Sequence, residues 1–242
     1  MTHSNPTPNG GVNRTHGHST LQKTTFALLH ALSVGFLAYL VFFDGLTTLV
    51  SLLNEQWTVK NEDRLILIFA CAALYFVRHL VTLLYLLVRK VDWGEVVGLS
   101  IFIGLFEIGF AVLASGIFSN HPTPLSWIDG VWIILLLGGS YLNTGSELQR
   151  KWWKRRPENQ GHCYTGGLFR YAMHINYFGD VVLFTGWALL TGAWVALILP
   201  AFMAVSFIGF HIPGLDAYLS NRYGEAFDRY ASNTKKLIPW VY

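Results

Sequence analysis

In the stretch GGLFRYAMHINYFGD, residues 166 to 180, an arginine, a histidine, an asparagine and a carboxylate stand together just before an apolar run. Arg170, His174, Asn176 and Asp180 fall at spacings of four, two and four, which on a helix places Arg170 and His174 on one face, with Tyr177 and Asp180 following a turn later. Gly166 and Gly167 let backbone amides come close to a ligand. The segment RKWWKRRPEN, residues 150 to 159, adds cations suited to phosphates, with arginine favoured where two parallel hydrogen bonds are needed. Such cations also serve as a topology signal, but a polar helix start directly beside them gives the pair a second use. The chemistry implied is the holding of phosphate groups.

The elements that must carry these residues are set by composition. The chain has 242 residues, 52% hydrophobic, 15% aromatic and only 13% charged, which is too apolar for an average soluble domain. A helix needs about 20 apolar residues to cross a bilayer. Six windows qualify: Thr24 to Phe43, Leu65 to Val88, Val96 to Phe118, Ile128 to Leu142, Tyr177 to Gly192 and Trp194 to Ile212. The fourth and fifth are short, and Leu46 to Leu53 either lengthens the first hairpin or forms a seventh element. The expected fold is all-α, a polytopic membrane bundle of about six helices whose loops on one side close the polar site.

Lysine and arginine gather in the N-terminal tail, the second and fourth loops and the C-terminal tail, while the third and fifth loops have none. Six spans then place both termini and all strongly basic loops in the cytoplasm. The formal net charge of +3 reflects this topology and is not a nucleic-acid signature. Residues 1 to 22 read as a disordered tail rich in Ser, Thr, Asn, Gly and Pro, residues 23 to 142 as a first set of membrane helices, and residues 143 to 242 as the half carrying the site. His3, His16 and His18 in that tail read as polar filler rather than a metal site. Cys71 in a span and Cys163 in a loop have no paired spacing, so neither a metal site nor a disulfide is expected.

Ionisable residues inside a span are costly and mark function more often than elsewhere. Arg78, His79 and Glu107 fall mid-span. Arg78 and Glu107 either neutralise each other across two helices or line a polar cavity. Tyr75, Thr82 and Tyr85 share nearly the face of Arg78, so one stripe of that helix is polar and faces protein or water.

Three motifs in order carry a resemblance covering about 100 of the 242 residues. ELQRKWWKRRP, GGLFRYAMHINYFGD and RYGEAFDRYASNTKKLIPWVY resemble the C-terminal half of the integral-membrane steroid 5-alpha-reductases and of the sterol delta-14 and delta-7 reductases. The resemblance implies reduction of a carbon–carbon double bond in a lipid by NADPH. It also implies cofactor contacts from Asn143, Glu147, Gln149, Lys154, Asn176, Tyr177 and Asp180, with Arg170, His174, His211 and Asp216 beside them. Two positions depart from the pattern: Ile175 stands where many relatives have Pro, and His211 stands about where an arginine is expected. No Rossmann-type glycine fingerprint occurs, so a dinucleotide must be held by membrane helices and their loops.

The motifs do not reach the N-terminal half. From chemistry alone, Tyr85 and Glu107 are the candidate catalytic pair, a phenol that donates a proton and a low-dielectric carboxylate that tunes it. This expectation requires their helices to face one cavity. The substrate expected is a hydrophobic lipid or steroid taken from the membrane. Two other classes fit parts of the pattern: a membrane methyltransferase of the isoprenylcysteine carboxyl type, using S-adenosylmethionine and an Arg-His-Pro-x-Tyr-x-Gly motif, and a non-catalytic lipid-binding protein. Asn176 directly before Tyr177 favours the reductase.

Overall fold

A computed structural model of the chain describes residues 15–52, 58–119 and 121–242. Ten α-helices are present among them: α1 (Thr20–Phe42), α2 (Gly45–Leu52), α3 (Glu62–Val81), α4 (Trp93–Ala114), α5 (Trp127–Ser140), α6 (Ser146–Lys154), α7 (Ile175–Leu190), α8 (Ile198–Ser206), α9 (Ile212–Tyr223) and α10 (Glu225–Asn233). Four helical runs are long and apolar enough to cross a membrane: Thr20–Phe42, Glu62–Leu86, Trp93–Ala114 and Trp194–Tyr223. The fold is an all-helical membrane bundle. Its outward face carries large apolar side chains such as Leu32, Phe43, Leu105, Ile134 and Phe202, as a lipid solvent requires.

Residues 46 to 52 do form an element, since α2 covers Gly45–Leu52, while residue 53 lies outside the described residues. Most of the expected tail, residues 1–14, lies outside the described residues, His3 included. Residues 15 to 19 run beside 88 to 91: the Lys90 amide donates to Thr15 at 2.9 Å and the Val91 amide to the Ser19 hydroxyl at 3.0 Å.

One correction concerns the basic segment expected as the fourth loop. The helix of α5 does not stop at the membrane edge but continues through a π-helical turn, Tyr141–Gly145, into α6. Good helix formers extend it, and the first proline after it is Pro157. Asn143, Glu147, Gln149 and Lys154 therefore project from helical backbone.

Glycine brings α5 against α7. A Cβ on Gly179 would lie 2.5 Å from the Asn143 amide nitrogen, and one on Gly186 would lie 2.6 Å from Leu136 N and Trp132 O. Small residues at helix contacts are how membrane helices reach van der Waals range without a hydrophobic drive. Here they bring Asn143 on one helix level with Asp180 on the other.

Between α3, α4 and α7 the core is aromatic. Trp187, fully buried, lies 5.4 Å from Phe106 and 5.7 Å from Tyr75, ring centre to ring centre. These offset and edge-on contacts fix the faces that α3 and α7 show each other.

Candidate active site

Asp180, one and a half turns into α7, is the centre of a side-chain network from three elements. Its Oδ1 accepts from both terminal nitrogens of Arg78, at 3.0 and 3.1 Å, and its Oδ2 accepts from Asn143 Nδ2 at 2.9 Å. The same Asn143 nitrogen also donates to the Asn176 carbonyl at 3.0 Å. Asn176 Nδ2 in turn donates to Glu147 Oε1 at 3.0 Å, and Arg150 is bonded to the other oxygen of Glu147. Of the two readings of Arg78 and Glu107, the mutual pair does not form: Arg78 bonds Asp180, 102 residues away, and lines a cavity, while Glu107 bonds His30.

The segment 166 to 174 is not part of the helix. Gly167–Arg170 forms a single 3-10 turn, and His174 has φ −119° ahead of α7. Arg170 and His174 therefore do not share a helical face. Gly167 has φ +55°, and a Cβ there would collide with the Gln149 side chain. That side chain accepts the Leu168 amide at 2.9 Å, so the glycine admits Gln149 rather than an outside ligand.

The C-terminal segment closes over this turn. The amides of Met173 and His174 donate to the carbonyls of Lys235 and Lys236, each at 2.8 Å. His174, buried, bonds Asp216 on α9 at 2.8 Å through Nε2, and Lys236 reaches the other Asp216 oxygen at 3.2 Å. Tyr230 donates to the Phe169 carbonyl at 2.5 Å. Burial pushes the Tyr230 phenol well above its ordinary range and raises Tyr164 and the Cys163 thiol as well, so all three stay neutral donors near neutral pH.

Two spaces flank the network. An open cleft with a volume of about 50 Å³ is lined by Arg150, Lys154, His174, Asn176, Tyr223 and Tyr230 among others. Lys154 donates to Tyr223 at 2.6 Å on its wall. On the other side, within the bundle, a smaller cavity of about 10 Å³ lies between α3, α5 and α7, lined by Tyr75, Arg78, Ser140 and Trp187 with apolar neighbours. Trp187 Nε1 and Arg78 Nε are buried without hydrogen-bond partners. Orphaned donors of this kind cost about 1–3 kcal/mol each and are uncommon.

Of the residues expected from sequence, Asn143, Glu147, Asn176 and Asp180 form one bonded network, Lys154, His174 and Asn176 line the cleft, and Gln149 and Asp216 brace the loops around it. Tyr177 is stacked on Phe207 at 4.6 Å and on His174 at 5.7 Å. His211 is ring-packed on Phe207 at 5.8 Å. Arg170 is exposed, over the Tyr171 ring.

Tyr85 and Glu107 are not brought together. The Tyr85 hydroxyl accepts from Trp152 Nε1 at 3.2 Å, with Lys151 and Arg155 over its ring, at the bundle edge. The π turn Thr82–Leu86 rotates it off the stripe of Tyr75 and Arg78. Glu107 is fully buried between α1 and α4. Sequence reasoning missed His30 and Trp187. A lone histidine inside the first span was the available signal for His30; Trp187 gave none.

A helical membrane bundle with a charged side-chain network reaching into an open basic cleft defines the class: an integral membrane protein with a polar site at one end of its bundle. The family model described as "Protein of unknown function (DUF1295)" matches residues 99–234, and the chain belongs to this family, which is steroid 5-alpha-reductase-like. The chain is similar to steroid 5-alpha-reductase DET2 of Solanum lycopersicum, 28% identical over 137 residues, 57% of this chain and 42% of the relative. It is similar to human (Homo sapiens) 3-oxo-5-alpha-steroid 4-dehydrogenase 2, 30% identical over 121 residues, 50% of this chain and 44% of that one. A probable O-methyltransferase, ustE of Ustilaginoidea virens, is 35% identical over 77 residues, 31% of this chain and 27% of the relative. The matches span about half the length of these curated relatives or less.

Proposed function

We propose that the protein is an NADPH-dependent reductase of a carbon–carbon double bond conjugated to a ketone in a steroid-like lipid. The observation that carries this reading is the Arg78–Asp180–Asn143 line, which joins an apolar cavity with unpartnered donors to a cleft with phosphate-binding cations. The donor set fits the cofactor. Arg150 and Lys154 suit its phosphates, and Asn143, Asn176 and Glu147 suit ribose hydroxyls and the carboxamide. NADPH supplies a hydride when bound.

The chain's own residues then have distinct tasks. The apolar side chains around the cavity keep bulk water away from its polar groups. Its polar groups, Tyr75, Arg78, Ser140 and Trp187, can each donate a hydrogen bond and line one space. Such a set matches an acceptor oxygen, and it holds a developing enolate more strongly than a ground-state ketone. Tyr75 is the side chain there able to release a proton, and Arg78, 5.0 Å over its ring, favours the phenolate left behind. In this reading the termini and basic segments lie on the cytoplasmic side, where NADPH is found; a reporter at Tyr242 reads cytoplasmic and one at His121 external, and the reverse pattern defeats it.

Ligand stabilisation in detergent tests the function. NADPH and NADP+ at about a hundred times Kd should each raise unfolding free energy by about 2.7 kcal/mol. The similarity to an O-methyltransferase makes S-adenosylmethionine the competing ligand. Stabilisation by it alone overturns the reductase reading.

A further inference from the structure

Outside the site just described, the bundle contains a second polar chain that crosses three helices. Ser33 Oγ on α1 donates to Glu107 Oε2 on α4 at 2.6 Å, and Glu107 Oε1 meets His30 Nε2, also on α1, at 3.0 Å. His30 Nδ1 meets Nδ1 of His79 on α3 at 2.6 Å. Glu107 and His30 are 0% and 1% exposed, while His79 is only partly buried and its Nε2 makes no hydrogen bond among the described residues. The chain therefore has one closed end at Glu107 and one open end at His79.

Counting protons shows what the chain can do. Each nitrogen–nitrogen or nitrogen–oxygen contact needs one hydrogen between its atoms. With Glu107 ionised, His30 holds its proton on Nε2 toward the carboxylate and His79 holds its proton on Nδ1 toward His30. With Glu107 neutral, its own proton points to His30 Nε2, the His30 proton points to His79 Nδ1, and the His79 proton sits on the open Nε2. The two states differ by one proton and two tautomer shifts, and no heavy atom has to move. A proton arriving at His79 Nε2 thus leaves one on Glu107, and the reverse shift returns it. No bond other than N–H and O–H is made or broken.

The groups around the chain are mostly uncharged. The charged group nearest along α3 is Arg78, and its charge is already matched by Asp180 of α7. The remaining facing groups are uncharged: Ser33 from α1, and Tyr75 and Phe76 from α3, with Phe26 edge-on to His79 at 4.3 Å.

We propose that Ser33, Glu107, His30 and His79 form an intramembrane proton store, filled through His79, that resupplies the proton consumed at Tyr75. The Tyr75 ring is 5.4 Å from His30 and stacks on His79 at 6.5 Å. The store itself is independent of the reductase reading; only the destination of its proton rests on it.

Infrared spectroscopy of the protein in lipid vesicles tests the store without turnover. Glu107→Gln should delete a carboxylic-acid C=O band, which identifies Glu107 as neutral. After transfer to D2O that band should shift quickly in the wild type, and at least an order of magnitude more slowly in His79→Phe, which keeps the packing on Phe26. His79→Gln, which can bond His30 but cannot pass a proton by tautomer exchange, should slow it equally. Absence of any band assignable to Glu107, or unchanged exchange in both His79 variants, overturns the proposal.

Turnover adds the second half. With NADPH and a 3-keto-4-ene steroid, His79→Phe should lower kcat by roughly 10² with unchanged KM and unchanged NADPH stabilisation. Unchanged kcat alongside slowed exchange removes Tyr75 as destination. A wild type that NADPH does not stabilise ends the reductase reading and leaves the infrared result to decide the store.

Discussion

Two arginine–aspartate pairs lie inside the bundle, one near each end of α3, and they are built differently. Arg64 at the start of the helix makes five hydrogen bonds: Nε to the Thr123 carbonyl, Nη1 to Asp129 Oδ1 and the Leu190 carbonyl, Nη2 to the Pro124 carbonyl and Asp129 Oδ2. Arg78, fourteen residues on by number and about 21 Å along the axis, gives both terminal nitrogens to one oxygen and leaves Nε buried with no partner. Side chains of the first pair are 4% and 7% exposed, and those of the second 11% and 18%. A guanidinium with every donor used holds three connections together and has nothing to offer a ligand. One with donors to spare, beside a cavity, is equipped to meet an acceptor. Saturation, rather than burial or charge, separates the clamp from the site.

The largest expected effect comes from breaking the saturated pair. Arg64→Ala leaves Asp129 buried without its cation and frees the loop carbonyls of Thr123 and Pro124, so unfolding free energy should fall by about 3–5 kcal/mol. NADPH should still stabilise whatever fraction folds. Thermal unfolding with and without NADPH measures both. A loss below about 1 kcal/mol would show that counting satisfied donors does not identify a clamp.

Asp180→Asn should divide its effect the other way. The amide oxygen can still accept from Asn143 or Arg78, so the stability loss should be about 1–3 kcal/mol, smaller than at Arg64. Stabilisation by NADPH should vanish, because the substitution leaves Arg78 uncompensated at the junction of cleft and cavity. Wild-type stabilisation by NADPH in Asp180→Asn would mean the two pairs are both structural.

The comparison also explains what was legible in the sequence. Apolar windows announced the membrane bundle, and the spacing from Arg170 to Asp180 announced a polar site, because both signals are local along the chain. Asn176 and Asp180 do sit on one helix, and Asn143 and Glu147 do meet them. Arg170 and His174 were misplaced because helical spacing was extended across a turn that Gly167 and the Lys235–Lys236 carbonyls hold in another conformation. The partners of Arg78 and Glu107 stay open in the sequence for a different reason. Pairing across helices depends on rotation about each axis, and a π turn or a glycine contact resets that rotation without leaving a periodic signature.

Tyr85 is where that lesson yields the smallest expected effect. Sequence chemistry made it a proton donor because it follows Arg78 by seven residues, two turns along an ideal helix. The π turn carries it outward, where its hydroxyl accepts a single hydrogen bond from the exposed Trp152 and its ring lies under Lys151 and Arg155. Tyr85→Phe keeps the ring, and with it the cation contacts, and removes only that one bond. Stability should change by no more than about 0.5 kcal/mol, in the range of surface substitutions. NADPH stabilisation should be unchanged, and turnover on a 3-keto-4-ene steroid should stay within about twofold, since no general-acid role, worth about 10²–10⁴, is removed. Tyr75→Phe, which deletes a hydroxyl inside the cavity, should instead show the full general-acid loss with cofactor affinity intact. If the two variants exchange these outcomes, the acid is at the bundle edge and the unsaturated donors around Trp187 bind something other than the reacting end of the lipid.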